Sequence, residues 1–189
     1  MKRILLFFTF LLLSCECFAD ISELSEQATA FYSDNNMTKT MDLILQINEK
    51  ERSAQDWILL GNVLADNEKY DDAAFMYKKA IEADPKSYKA YYNLGNYYVN
   101  IGRFNTAIKN YKKAIKIKYD NPYIYYNLGY AYIKLGDYKN ARTYLNKAIM
   151  YKSNIPEFHY NLALVYKQLG KYKLAQTYLD NYNKLTEQN

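Results

Sequence analysis

The chain has 189 residues, half of them apolar, with only 3 Pro and 6 Gly. That is ample for a buried core and too little turn material for a disordered or turn-rich β chain. The charge of +5 is unevenly laid down: residues 20–87 hold 7 Lys plus Arg against 14 Asp plus Glu, and residues 88–189 hold 16 against 5.

The first nineteen residues, MKRILLFFTFLLLSCECFA, stand apart from the rest. Lys2 and Arg3 open a charged start, Ile4 to Leu13 is an apolar run, and Cys17 and Ala19 put small residues where a signal peptidase inspects them. This reads as a secretory signal at 1–19, removed before Asp20, with an exported product in the periplasm or cell envelope. The apolar run is too short to cross a bilayer as a helix. A competing reading takes Leu12 to Cys15 (LLSC) as similar to a bacterial lipoprotein box, with Cys15 lipidated and tethering the protein to a membrane. Both cysteines lie here, so a chain starting at Asp20 is expected to form no disulfide and no Cys metal site.

Residues 20–53 are irregular, but Ala28, Phe31, Met37, Ile44 and Ile47 fall near the small and large places of the repeat that follows. A degenerate hairpin is expected, capping the array with a polar first helix that carries Glu23, Glu26 and Gln27.

From residue 54 one phrase returns. YYNLGNYYVNIGRF begins at Tyr91, YYNLGYAYIKLGDY at Tyr125 and HYNLALVYKQLGKY at His159, each 34 residues after the one before. Blocks of 34 run 54–87, 88–121, 122–155 and 156–189. Place four holds Trp57, Tyr91, Tyr125 and His159; place seven is always Leu (Leu60, Leu94, Leu128, Leu162); place eight is Gly61, Gly95, Gly129 and Ala163. Place eleven follows with Leu64, Tyr98, Tyr132 and Tyr166, and place twenty with Ala73, Ala107, Ala141 and Ala175. The series closes on Tyr77, Tyr111, Tyr144 and Tyr178, then Ala80, Ala114, Ala148 and Tyr182.

Places four, seven, eight and eleven make one apolar stripe at helical spacing, and places twenty, twenty-four and twenty-seven make a second. NEKYDD, NIGRFN, KLGDYK and QLGKYK supply the turns between them. Two helices per block, folded back as a hairpin, follow. No single hairpin buries both stripes, so neighbours must stack.

On these residues 54–189 resembles the tetratricopeptide repeat (TPR) proteins, four times over. The resemblance implies an all-α solenoid of stacked hairpins in a right-handed superhelix, with the first helices lining a concave face. It further implies that places two, five, nine, twelve and thirteen point into that face. Here those places supply a ladder of rings, aliphatics and an amide: Tyr92, Asn96 and Val99, then Tyr126, Tyr130 and Ile133, then Tyr160 and Leu164. Tyr offers large area with little rotamer entropy and a polar tip, which suits an interface. Two readings stand for Tyr92, Tyr126 and Tyr160, a binding surface or props between helices. Asn93, Asn127 and Asn161, at place six, read as hydrogen-bonding links between hairpins.

Family members that clamp a chaperone's C-terminal carboxylate use Lys or Arg at place five of one repeat and place two of a later one. This chain keeps Asn62 and Asn93 of that set, but Ile58 and Tyr123 stand where the bases belong, which argues against that ligand.

Nothing in the sequence proposes catalysis or a cofactor. There is no phosphate loop, paired-His spacing or nucleophile elbow, and the lone His159 stands where a core ring stands in the other blocks. The expected function is a non-enzymatic scaffold that binds a protein or peptide along the concave face, with no nucleic-acid partner. Two rivals remain. Lys109, Lys112, Lys113 and Lys116 share one helix face and could draw anionic membrane or an acidic partner; unlike ends could join copies into a homo-oligomer.

Overall fold

The computed structural model describes residues 21–187. The expected signal at 1–19, with Cys15, lies outside the described residues. Every regular element described is helical. Helix α1 covers 21–33; α2 is Met37–Gln46, followed by a 3-10 turn at Glu49–Glu51. The next two are α3 Ala54–Asp66 and α4 Tyr70–Ala83, then α5 Tyr88–Asn100 and α6 Phe104–Ile117. The last four are α7 Pro122–Lys134, α8 Tyr138–Tyr151, α9 Pro156–Gln168 and α10 Tyr172–Thr186. By contacts the chain divides at Pro85 into two compact units.

In the first unit α3 and α4 form a hairpin and α2 packs on α3. Helix α3 starts at a reciprocal cap: Ser53 Oγ accepts from the Asp56 amide at 3.2 Å, and Asp56 Oδ2 accepts from the Ser53 amide at 2.8 Å. Ala28, Ile44 and Ile47 are buried, whereas Phe31 and Met37 are only partly covered. Glu23, Glu26 and Gln27 on α1 are exposed.

In the second unit three hairpins stack: α5 with α6, α7 with α8 and α9 with α10, with α7 also against α6 and α9 against α8. Pro122 and Pro156 open α7 and α9, where a first-turn N–H would have no helical acceptor.

Each of the four hairpins α3–α4 to α9–α10 turns in one way. The residue at place fifteen takes a left-handed backbone, with φ of 61° at Glu68, 72° at Gly102, 73° at Gly136 and 71° at Gly170. The amide that follows it reaches back to the carbonyl at place eleven, as Arg103 N does to Tyr98 O at 2.8 Å.

The hairpins close around small residues. A Cβ on Gly61 would lie 2.4 Å from the Tyr77 ring, and one on Gly95 would lie 2.5 Å from the Tyr111 ring. The third hairpin corrects the repeat series drawn from sequence. The side chain beneath Gly129 is Leu145, which is fully buried, so Tyr144 and Tyr178 stand one place earlier than Tyr77 and Tyr111. From that place Tyr144 stacks on Tyr132 at 5.5 Å and Tyr125 at 6.5 Å, and Tyr178 stacks on Tyr166 at 5.4 Å and lies tilted against His159 at 5.9 Å. The two solutions fill the same space differently: a ring under the glycine, or a Leu there with the ring moved aside.

Candidate functional site

The surface singled out by sequence lies on the first helices of the second unit, α5, α7 and α9. Its residues divide by what they already touch. Tyr92 and Tyr126, at place five, are partly buried, and each hydroxyl accepts an amide hydrogen from place six of the next hairpin. Asn127 Nδ2 donates to Tyr92 Oη at 3.1 Å, and Asn161 Nδ2 donates to Tyr126 Oη at 2.7 Å. The Tyr126 ring also stacks on Phe158 at 4.8 Å. Burial pushes both hydroxyls above the usual tyrosine range. These contacts are those of the prop reading, and they tie one hairpin to the next.

Asn96 is equally committed. Its Oδ1 accepts from Tyr111 Oη at 2.7 Å and from Asn127 Nδ2 at 2.8 Å, and in the first unit Asn62 Oδ1 accepts from Tyr77 Oη at 3.0 Å. The amide at place nine thus anchors the buried ring that sits beneath the place-eight glycine. Hydrophobic packing and the polar network meet at that point, so neither can be changed without the other.

Val99, Tyr130 and Ile133 are partly covered, and Tyr160 and Leu164 are exposed, at 44% and 39%. Lys134 Nζ lies 5.3 Å from the Tyr130 ring centre, a cation held over an aromatic face. These five offer aliphatic and ring surface that the hairpins leave unfilled. Ile58, at the place where a carboxylate clamp needs a base, is 3% exposed and apolar, so that chemistry is not available there.

His159 does what the tyrosine does one repeat earlier. Its Nε2 meets Ser153 O at 2.7 Å, six residues back, just as Tyr125 Oη donates to Tyr119 O at 2.8 Å. Facing a carbonyl, Nε2 must carry the hydrogen. The ring is buried in the hairpin, in a structural place. Among the described residues no cluster of three or more His, Cys, Asp or Glu could hold a metal ion, and no helix is long and apolar enough to cross a membrane.

The opposite side of the second unit carries charge. Lys109, Lys112, Lys113 and Lys116 on α6 are all exposed, and α6 and α8 contain no acid. Two of these cations rest on rings, Lys113 Nζ at 5.1 Å from Tyr91 and Lys112 Nζ at 5.7 Å from Tyr132.

Sequence reading missed a groove at the C-terminal end, about 360 Å³, between α9 and α10. It is lined by Tyr160, Ala163, Leu164, Lys167, Tyr172, Ala175, Gln176 and Leu179. The signal was present: Ala163, Leu164, Ala175 and Leu179 stand at the small and large places of block 156–189.

Comparison with known proteins agrees with this architecture. Family models described as tetratricopeptide repeat match 54–87, 76–109 and 156–189, and one described as TPR repeat matches 95–136 and 129–170. No curated protein matches. Among solved structures, MamA MSR-1 is 18% identical with a TM-score of 0.73, covering 89% of this chain and 97% of that one. A second MamA structure is 22% identical at 0.76, covering 85% and 95%, and a MamA RS-1 double mutant is 15% identical at 0.78, covering 89% and 96%. At these identities the likeness is one of fold, an all-α TPR solenoid. With its repeats, turns and packing places matched from residue 54 to residue 189, the chain belongs to the tetratricopeptide repeat family.

Proposed function

We propose that this TPR scaffold binds a peptide or protein partner along the first helices of its second unit, and that it does so as an exported protein of the cell envelope. A protein-interaction role is what the repeats support, and the fold is generally non-catalytic. The finer reading is carried by one observation: Tyr130 and Ile133 on α7 are only partly covered, and Tyr160 and Leu164 on α9 are exposed, leaving apolar surface on the first helices. A preformed helical surface loses little freedom when a partner arrives, so modest apolar area can translate into affinity.

The test replaces Tyr130 and Ile133 together with Ala in the native host and compares crosslinked partners with those of the unaltered protein. These positions are only partly covered, so helical circular dichroism should be unchanged while the partner's yield falls at least tenfold. An unchanged yield removes the reading. The export reading is supported by the charged start, apolar run and small residues of 1–19. Mass measurement of the mature N-terminus separates cleavage before Asp20 from lipidation at Cys15.

The basic side supports a second reading, attraction to anionic membrane. Binding to vesicles of anionic phospholipid would then fall steeply as salt is raised, since exposed charges more than a Debye length apart are screened. Salt-insensitive binding, or none, excludes it.

A further inference from the structure

Within the second unit, the first helix of each later hairpin sits on the hairpin before it, α7 against α6 and α9 against α8. Both arriving helices share one pattern. Helix α7 brings Ile124, Asn127, Leu128 and Ala131, and α9 brings Phe158, Asn161, Leu162 and Val165, each at positions i, i+3, i+4 and i+7. Every apolar member of the two sets is at most 1% exposed. The amide member is the recognition element, because it donates to the place-five hydroxyl of the hairpin it meets, Asn127 to Tyr92 and Asn161 to Tyr126.

The last hairpin repeats the receiving side. Tyr160, Ala163, Leu164, Ala175 and Leu179 occupy the places of Tyr126, Gly129, Tyr130, Ala141 and Leu145. Ala141 and Leu145 are fully buried, whereas no residue of α10 is buried, and the groove described above stands over these places. One lining residue breaks the equivalence: place twelve is Lys167, where Val99 and Ile133 stand in the earlier hairpins. A helix that settles there has a cation beside it at place twelve, where the earlier hairpins present an aliphatic side chain.

We propose that the groove between α9 and α10 docks an amphipathic helix from a partner protein. That helix carries a bulky apolar residue, Asn three places on, Leu four places on and a small aliphatic seven places on, with a carboxylate on its flank opposite Lys167. The docked helix continues the hairpin-to-hairpin interface already formed twice within the unit, with Tyr160 Oη as the acceptor for its amide. The groove shares Tyr160 and Leu164 with the first-helix surface proposed above but adds Ala175 and Leu179 of α10, and it is argued from the hairpin-to-hairpin pattern, so it does not depend on that reading.

The probe is a fluorescent peptide of residues 156–168, PEFHYNLALVYKQ, stapled on its solvent side because an isolated helix this short is marginal in water. Its own Lys167 is replaced by Glu. Anisotropy against the full-length protein should show saturable binding. Tyr160→Phe in the protein and Asn161→Ala in the peptide should each weaken it about 2- to 10-fold, the range of one hydrogen bond. Combined, the two changes should cost no more than either alone. Leu179→Glu in the protein, at a partly covered position, should abolish binding, while Phe75→Ala, at an exposed position on α4 of the first unit, should leave it intact. No saturable binding, or binding indifferent to Leu179→Glu, overturns the proposal. So does concentration-dependent growth of the protein in sedimentation that Leu179→Glu abolishes, since the occupant would then be a second copy.

Discussion

Gly95 offers the sharpest test of the packing described here, because two effects of known size oppose each other at one atom. In the middle of a helix Gly→Ala should stabilise by about 0.5 to 1 kcal/mol through reduced chain entropy. The added Cβ, however, would stand 2.5 and 2.7 Å from Cε1 and Cδ1 of Tyr111, closer than such contacts occur. Tyr111 cannot step aside cheaply. It is 1% exposed, and its hydroxyl is tethered 2.7 Å from Asn96 Oδ1, which also holds Asn127 of the next hairpin at 2.8 Å. Overpacking costs about 1 to 3 kcal/mol and a strained or lost hydrogen bond about 0.5 to 1.5. The balance predicts Gly95→Ala to be net destabilising by about 1 to 3 kcal/mol, visible as a lower urea midpoint by far-ultraviolet circular dichroism at an unchanged slope. In a Tyr111→Phe background the tether is gone, and the same substitution should cost less. Stabilisation of the single variant by the propensity amount alone would show that the ring yields freely and would refute the close-packed reading.

Three other outcomes follow from particular contacts. His159→Tyr should be tolerated, since Tyr125 makes the equivalent contact, whereas His159→Phe should cost about 1 kcal/mol in thermal or urea unfolding by removing the donor to Ser153 O. Glu68 holds φ of 61° where the other three turns use Gly, so Glu68→Gly should raise stability by about 1 kcal/mol in the same assay; no gain would mean its side chain earns that backbone. Burial raises the hydroxyl of Tyr111 above its ordinary value of 10.0, so the native state keeps a proton the unfolded chain gives up. The stability this represents is complete below about pH 10 and is lost as pH rises beyond it toward the raised native value. Urea midpoints from pH 8 to 11 should therefore fall at the alkaline end, and Tyr111→Phe should flatten part of that fall.

Much of the fold was legible because each repeat's packing is local. Small residues at places eight and twenty and large ones at four, seven and eleven sit at helical spacing, so their pattern survives in one dimension. The error at Tyr144 shows where that ends. A ring and a Leu can exchange adjacent places and still fill the space beneath a glycine; the numbering shows Tyr144 one place early, and the position of Leu145 under Gly129 shows what takes the ring's place. The site was less legible for a related reason. Tyr92, Tyr126 and Asn96 have the composition of an interface, yet their polar tips meet residues 15 to 35 positions away. Sequence reports that a hydroxyl exists, whereas its partner is set by how one hairpin lies on another.

That division bears on how such a surface could bind anything without weakening itself. A ligand that competed for the hydroxyl of Tyr126 would have to displace the partly buried Asn161 amide at 2.7 Å, losing a hydrogen bond worth about 0.5 to 1.5 kcal/mol. Tyr160 has the same ring at the same place and no such amide upon it among the described residues, so the hydrogen bond it could offer displaces only water. Recognition built on this polar contact is therefore favoured at Tyr160 over Tyr126. At Tyr160 a new bond adds to affinity, whereas at Tyr126 it would first have to break one that holds two hairpins together.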